Sequence, residues 1–289
     1  MLKNQNANQK LNILDGGKAF SLLIILYILL STIFSALTSV ISIEPFDSAV
    51  LSLSSPIAIF ITLLAFNKRK SVSLSDLNAK SFNFKFAVIA VVLAVGVLFA
   101  FGTLNELIAK LINSLGGKVS SAVIPVGEWW VFIISTVVFC VLPAISEELF
   151  FRGLILESLK GVNKSFAILT VSLVFSIYHG NATQLAYQFI YGVILCLITL
   201  GAKSVIPAII THFLNNFIVL SFMQFNISIN LYAWWIILIG VVLTLGSIFY
   251  IIKKINFASN GNEKIKGFYL YALFGVLICG ILIITGVIL

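Results

Sequence analysis

The sequence predicts an all-α fold, a polytopic transmembrane helical bundle of about eight to nine spans. Three observations carry this. Hydrophobic residues make up 60% of the 289 positions and charged residues only 10%, against about 25% charged in a typical soluble domain. Long apolar runs recur along the chain, most of them near the ~20 residues that cross a bilayer. Lysine and arginine cluster in the short connections between those runs, as the positive-inside rule expects.

The elements follow in order. The first apolar run, 19–42, comes after a basic N-terminal stretch. It exceeds a signal-peptide core of about 7–15 residues and reads as a retained helix. An acidic link with Glu44, Pro45 and Asp47 leads to a second run, 48–66. The loop 67–85 then carries Lys68, Arg69, Lys70, Lys80 and Lys85. The third run, 85–113, is longer than a crossing needs, so Asn105 to Asn113 is expected to project as an amphipathic turn. After the segment Gly116 to Val126 come runs at 129–157, 165–182, 184–202, 204–223, 231–252 and 267–289. The polar, basic segment Asn256 to Lys266 reads as a cytoplasmic loop. The last run carries no motif and is expected to be a peripheral addition. No internal repeat or linker divides the chain, so 1–289 reads as a single integral membrane domain whose core helices are 129–223.

Charge sets the orientation. With a cytoplasmic N-terminus and an outside C-terminus, only Lys110 and Lys118 of the 18 Lys and Arg fall outside, leaving 16 inside. The tryptophans agree, because Trp129-Trp130 and Trp234-Trp235 then lie at the outer ends of their spans, at headgroup level. The formal charge of +8 therefore indicates no nucleic acid partner; the bilayer itself is the first partner. Cys140, Cys196 and Cys279 all fall in apolar runs, so neither a disulfide framework nor a cysteine metal site follows. The Lys-, Asn- and Ile-rich composition suits an AT-rich bacterial genome and hence a bacterial plasma membrane.

Ionisable side chains inside apolar runs are costly and tend to be functional. The chain has only two histidines, and both lie in such runs, as Phe175-x-x-x-His179 and His212-x-x-x-Asn216. A third cluster, Glu147-Glu148-Leu149-Phe150-Phe151-Arg152, is also set in apolar sequence. On a helix Glu148 and Arg152 share a face and can pair. Glu147 lies about 100° around, free to face a cavity as a general base or acid. The bland alternative is that Arg152 and the two glutamates merely anchor a helix end. Glu147 and His179 are each 16 residues from Asn163, so antiparallel helices place them at one depth, roughly 24 Å from the turn. His212, nine residues past Lys203, comes out shallower at roughly 14 Å. Access from the cytoplasm is expected. Pro143 precedes Glu147 by four residues, and a proline there frees a carbonyl that needs a partner or water. Pro207, five before His212, either kinks its span or simply starts it.

The ordered set Glu147-Glu148-x-x-x-Arg152-Gly153, Phe175-x-x-x-His179 and His212-x-x-x-Asn216, spread over 147–216, resembles the type II CAAX prenyl endopeptidase family. The wider group is CPBP, which takes in bacteriocin-processing and Abi-like proteins. The resemblance implies an intramembrane endopeptidase with a catalytic cavity. Glu147 would activate the attacking water, Glu148 and Arg152 would orient and stabilise it, and His179 would help position the water. His212 and Asn216 would donate to the tetrahedral oxyanion. It leaves two chemistries open. One is a glutamate mechanism without a cofactor, the reading favoured here. The other is a zinc-dependent form with Glu147, His179 and His212 as ligands and an open fourth position, although no HExxH helix occurs.

The leading function is therefore cleavage of a membrane-associated or lipidated peptide substrate. A non-catalytic bacteriocin-immunity or scaffold protein is the alternative in another class. A proton-coupled carrier is a third, disfavoured because no internal repeat is found. The sequence names neither the substrate nor the oligomeric state.

Overall fold

A computed structural model describes residues 11–42, 44–119, 124–256 and 264–288. Most of the basic N-terminal stretch, the middle of the 116–126 segment and most of the 256–266 loop lie outside the described residues. Those described form helices without a strand: α1 Ile13–Val40, α2 Asp47–Ser52, α3 Ser54–Lys70, α4 Lys85–Phe101, α5 Leu104–Ser114, α6 Trp129–Ser158, α7 Lys164–Tyr178, α8 Leu185–Ala202, α9 Ile206–Gln224, α10 Trp234–Ile252 and α11 Lys266–Ile288. Eight helical stretches are long and apolar enough to cross a membrane, so the chain is an integral membrane protein.

The polar start of the first run proves helical. The Asn12 side chain accepts from the N–H groups of Leu14 and Asp15, and the Asp15 carboxylate accepts from Asn12 N–H at 2.9 Å. This capping box starts α1 at Ile13, six residues earlier than hydropathy alone suggests. The third run breaks at Gly102 and Thr103, and α5 beyond the break buries none of its residues, in keeping with an amphipathic turn at the membrane edge. The fifth expected span, 165–182, is shorter than expected. Helix α7 stops at Tyr178, and Gly180 turns the chain at φ +59°, a conformation open to glycine without a Cβ clash. Its 15 residues cover roughly 22 Å, short of the ~30 Å hydrocarbon core.

Helix α6 is the least regular. Two π-helical turns, Thr136–Val141 and Leu149–Ile155, bracket the α-helical stretch Leu142–Glu148. Such turns often mark functional positions because they rotate side chains out of the regular register. Pro207 sits in the first turn of α9 and so starts that helix rather than kinking it.

In the bundle, α4 packs against α10 and α9, α8 against α7 and α9, and α1 against α3 and α11. The last helix thus lies at the edge, touching mainly α1 and, less, α7. The core between α6, α7 and α8 is aromatic: Phe150, Phe151, Phe175 and Tyr191 are all buried.

Contacts define two ends. At one, Lys70 pairs with Asp15 at 3.2 Å, Asn78 donates to Glu157 at 3.0 Å, and Ser204 donates to the Lys80 carbonyl at 2.6 Å. The basic connections gather there. At the other end Gly127 N–H donates to Gln224 at 2.9 Å, and Lys118 N–H donates to the Val287 carbonyl at 3.1 Å. Both tryptophan pairs start helices at this second end and are exposed.

Candidate active site

The regular stretch of α6 between its π-turns presents Glu147 and Glu148 in sequence, and the two diverge as helical geometry requires. Glu148 faces α8 and α9. Its Oε1 accepts from Arg152 Nη1 at 2.9 Å, one helical turn on, and from His212 Nδ1 at 2.9 Å. Arg152 is completely buried, so it does not mark a helix end at the membrane surface. Its guanidinium lies 4.2 Å from the Phe175 ring centroid and donates through Nη2 to the Gly192 carbonyl at 3.3 Å. Gly192 lets α8 pack closely on α7: a Cβ there would stand 3.0 Å from Ser172 Cα. A buried cation held by a carboxylate, a carbonyl and an aromatic face makes a stiff support.

Glu147 faces the other way. Its Oε2 makes no hydrogen bond with any described residue and lies 4.0 Å from His179 Nε2. His179 caps α7, and its Nδ1 is 2.8 Å from the Phe175 carbonyl. A carbonyl only accepts, so Nδ1 carries the proton and Nε2 is left as an acceptor towards Glu147. His212 is fixed by the same logic. A carboxylate at Nδ1 makes that atom the donor, and Nε2 is what the ring offers elsewhere.

The depth mismatch expected for His212 disappears when each helix is measured from its own end. Glu148 lies ten residues before Ser158 and His212 nine after Lys203, both ~15 Å by helical rise. The five connecting residues before Lys164, 159–163, are not helical.

Asn216 is the third arm. Its Nδ2 donates to the Phe139 carbonyl at 3.1 Å. Residue 143, four positions on, is a proline and has no N–H to offer that carbonyl. Sequence reasoning missed two neighbours. Tyr187 donates to Asn215 Oδ1 at 2.7 Å, and Asn215 Nδ2 reaches Asn216 Oδ1 at 3.4 Å. The Asn215-Asn216 doublet was the available signal. Tyr178, hydrogen bonded to Ser55 at 2.7 Å, joins α7 to α3 beside His179.

Glu147, His179, His212, Asn215, Asn216 and Tyr187 all line one cavity of about 1000 Å³. Glu148 and Arg152 stand behind it and do not line it. The cavity extends to Glu106, Ile124 and Asn181, all towards the tryptophan-bearing end. No residue of the connections 68–85, 157–164 or 203–205 lines it. The cavity thus opens away from the basic connections and towards the tryptophan-bearing end. Depth counting measured distance from a turn without seeing that Phe150, Phe151, Leu154 and Ile155, all buried, fill the space on that side.

The metal reading meets a geometric objection. Both histidines have Nδ1 committed and Nε2 free, as metal-binding imidazoles do. Yet among the described residues no three His, Cys, Asp or Glu side chains form a group able to hold a metal ion. The arrangement as it stands does not fit a three-ligand zinc.

Residues 128–218 match the family described as Rce1-like, type II CAAX prenyl endopeptidase Rce1-like. That range contains all three motifs and ends two residues past Asn216. No curated protein and no solved structure matches the chain.

Proposed function

With residues 128–218 taken as a segment of the Rce1-like, type II CAAX prenyl endopeptidase family, we propose that this protein is an intramembrane endopeptidase that hydrolyses a membrane-associated peptide with a water activated by Glu147. One observation carries the reading: Glu147 Oε2 and His179 Nε2 are two acceptors 4.0 Å apart, at the inner end of a cavity large enough for a peptide. A single water at ~2.8 Å from each can donate one proton to each. Glu147 then takes a proton as the water oxygen adds to the scissile carbonyl. His179 cannot turn away, because its Nδ1–H is held by the Phe175 carbonyl.

The carbonyl oxygen gains the negative charge. His212 Nε2 and the second N–H of Asn216 face the same cavity and are the candidate donors to it. For His212 that role requires a proton on Nε2 as well, with Glu148 balancing the imidazolium charge. Collapse of the tetrahedral species breaks the C–N bond. The proton held by Glu147 passes to the departing amine, leaving a carboxylic acid and an amine and restoring the Glu147 carboxylate.

The test is a comparison of membrane peptide profiles between the wild type and Glu147→Gln. Peptides that accumulate uncleaved only in the variant support proteolysis and identify the substrate. Identical profiles would remove the reading.

A further inference from the structure

We infer that the substrate reaches Glu147 from the tryptophan-bearing, extracytoplasmic side, as an extended peptide segment entering laterally between α1 and α2. The inference rests on the protease reading above and adds a direction and a substrate form.

Three observations converge. The basic connections at 68–85, 157–164, 203 and 253–256 stand at one end of the bundle, which the positive-inside rule places in the cytoplasm. Between that end and the site, Phe150 packs edge-on to Phe151 at 5.1 Å, and Phe151 to Phe175 at 5.1 Å. These rings are fully buried, and none of the three lines the cavity. The cavity runs the other way, to Glu106 on α5 and Gln184 before α8.

The third observation is a groove that continues this cavity into the lipid. It occupies about 660 Å³ and is lined by Ser31, Thr32, Ser35 and Ser39 of α1. It shares Tyr27, Leu51 and Ser54 with the main cavity. Four hydroxyls thus line this groove on one stripe of a membrane helix. They suit a backbone. A peptide strand drawn out of helical form inside the bilayer exposes N–H and C=O groups that cost several kcal/mol each unless paired. Ser31 and Ser39 donate to their own helix at Ile28 and Ala36, which leaves their oxygens as acceptors for incoming N–H groups. The groove lies on the half of α1 beyond Tyr27, towards Val40 and hence in the outer leaflet. The occupant that fits is an extended, largely apolar peptide segment in the extracytoplasmic half of the bilayer.

Single cysteines in a background lacking Cys140, Cys196 and Cys279 test the direction. In sealed cells an impermeant maleimide should label Gln184→Cys and spare Lys80→Cys, and inverted vesicles should reverse the pattern. Labelling of Gln184→Cys only from the face that exposes Lys80→Cys overturns the proposal. Route and form are tested by Ser35→Trp, which fills the groove, against Ile33→Trp, which faces lipid on the same helix. On the peptides accumulating in Glu147→Gln membranes, Ser35→Trp should lower cleavage at least tenfold and Ile33→Trp should not. Unchanged cleavage by Ser35→Trp, or equal loss in both, overturns the lateral route. If no Glu147-dependent peptide exists, the protease reading has failed, and the labelling arm still decides which face the cavity opens to.

Discussion

Glu148 Oε1 lies 2.9 Å from His212 Nδ1 and 2.9 Å from Arg152 Nη1, so one carboxylate oxygen joins the core of α6 to the imidazole of α9. The second glutamate of the pair therefore acts through His212 rather than on a water beside Glu147. It fixes which nitrogen of the ring carries the proton and how the ring is turned. Glu148→Gln keeps the shape and loses that control. Cleavage should fall by up to ~10⁴-fold, the loss found when a carboxylate that sets an imidazole tautomer is made an amide. KM should change little, because Glu148 does not line the cavity. A loss confined to KM would contradict the positioning role.

Arg152 is the structural partner of that arrangement. Removing it leaves the Glu148 carboxylate buried with only a histidine beside it. Breaking a buried pair from one side costs about 3–5 kcal/mol, so Arg152→Ala should lower thermal stability in detergent markedly. The double variant Arg152→Met with Glu148→Met should recover much of this loss while remaining inactive. Equal stability of wild type and Arg152→Ala would mean that the pair is not held as described.

How much was legible in the sequence follows from these residues. The i,i+4 spacing was enough to pair Glu148 with Arg152, because both sit on one helix and local geometry decides. Hydropathy was enough for the spans, since the bilayer imposes their length. The Glu148–His212 contact joins residues 64 apart, and nothing local encodes it. The π-turns of α6 were equally hidden, and so was the early stop of α7, where Gly180 and the His179 cap outweigh apolar character. Tyr187 looked like one more aromatic in an apolar run until its hydroxyl was seen on Asn215.

Asn216 depends on a proline for its orientation. Pro143 offers no N–H to the Phe139 carbonyl, and Asn216 Nδ2 donates there. Pro143→Ala supplies a competing N–H and should loosen Asn216, lowering turnover with KM nearly unchanged. Asn216→Ala should cost roughly 10²–10³-fold in turnover if its remaining N–H serves the oxyanion. Equal turnover for wild type and Asn216→Ala would take Asn216 out of the chemistry and leave it as the partner of Phe139.

Tyr187 tests whether the chain through Asn215 matters. Tyr187→Phe removes one buried hydrogen bond, worth about 1 kcal/mol. Its effect on stability should be that small. Turnover should drop further than this if Asn215 transmits orientation to Asn216, and the drop should vanish in an Asn216→Ala background. An undiminished effect in that background would place Tyr187 on the substrate directly.

The glutamate mechanism itself is tested at Glu147 under two conditions. Glu147→Gln is nearly isosteric, and Glu147 Oε2 has no hydrogen bond to a described residue, so the fold should be unaffected. The amide cannot take the water proton, so cleavage should be abolished. Wild-type activity should survive thorough chelation, since Glu147, His179 and His212 are not gathered as ligands. If chelation instead removes activity, and zinc restores it with one bound ion per chain, then His212 must bring its free Nε2 within reach of Glu147 and His179 while Glu148 keeps Nδ1. Glu148→Gln separates these cases independently of activity. Under the glutamate reading it leaves zinc content at background, whereas under the zinc reading it lowers zinc affinity, because Glu148 would then orient the imidazole that binds the metal through Nε2.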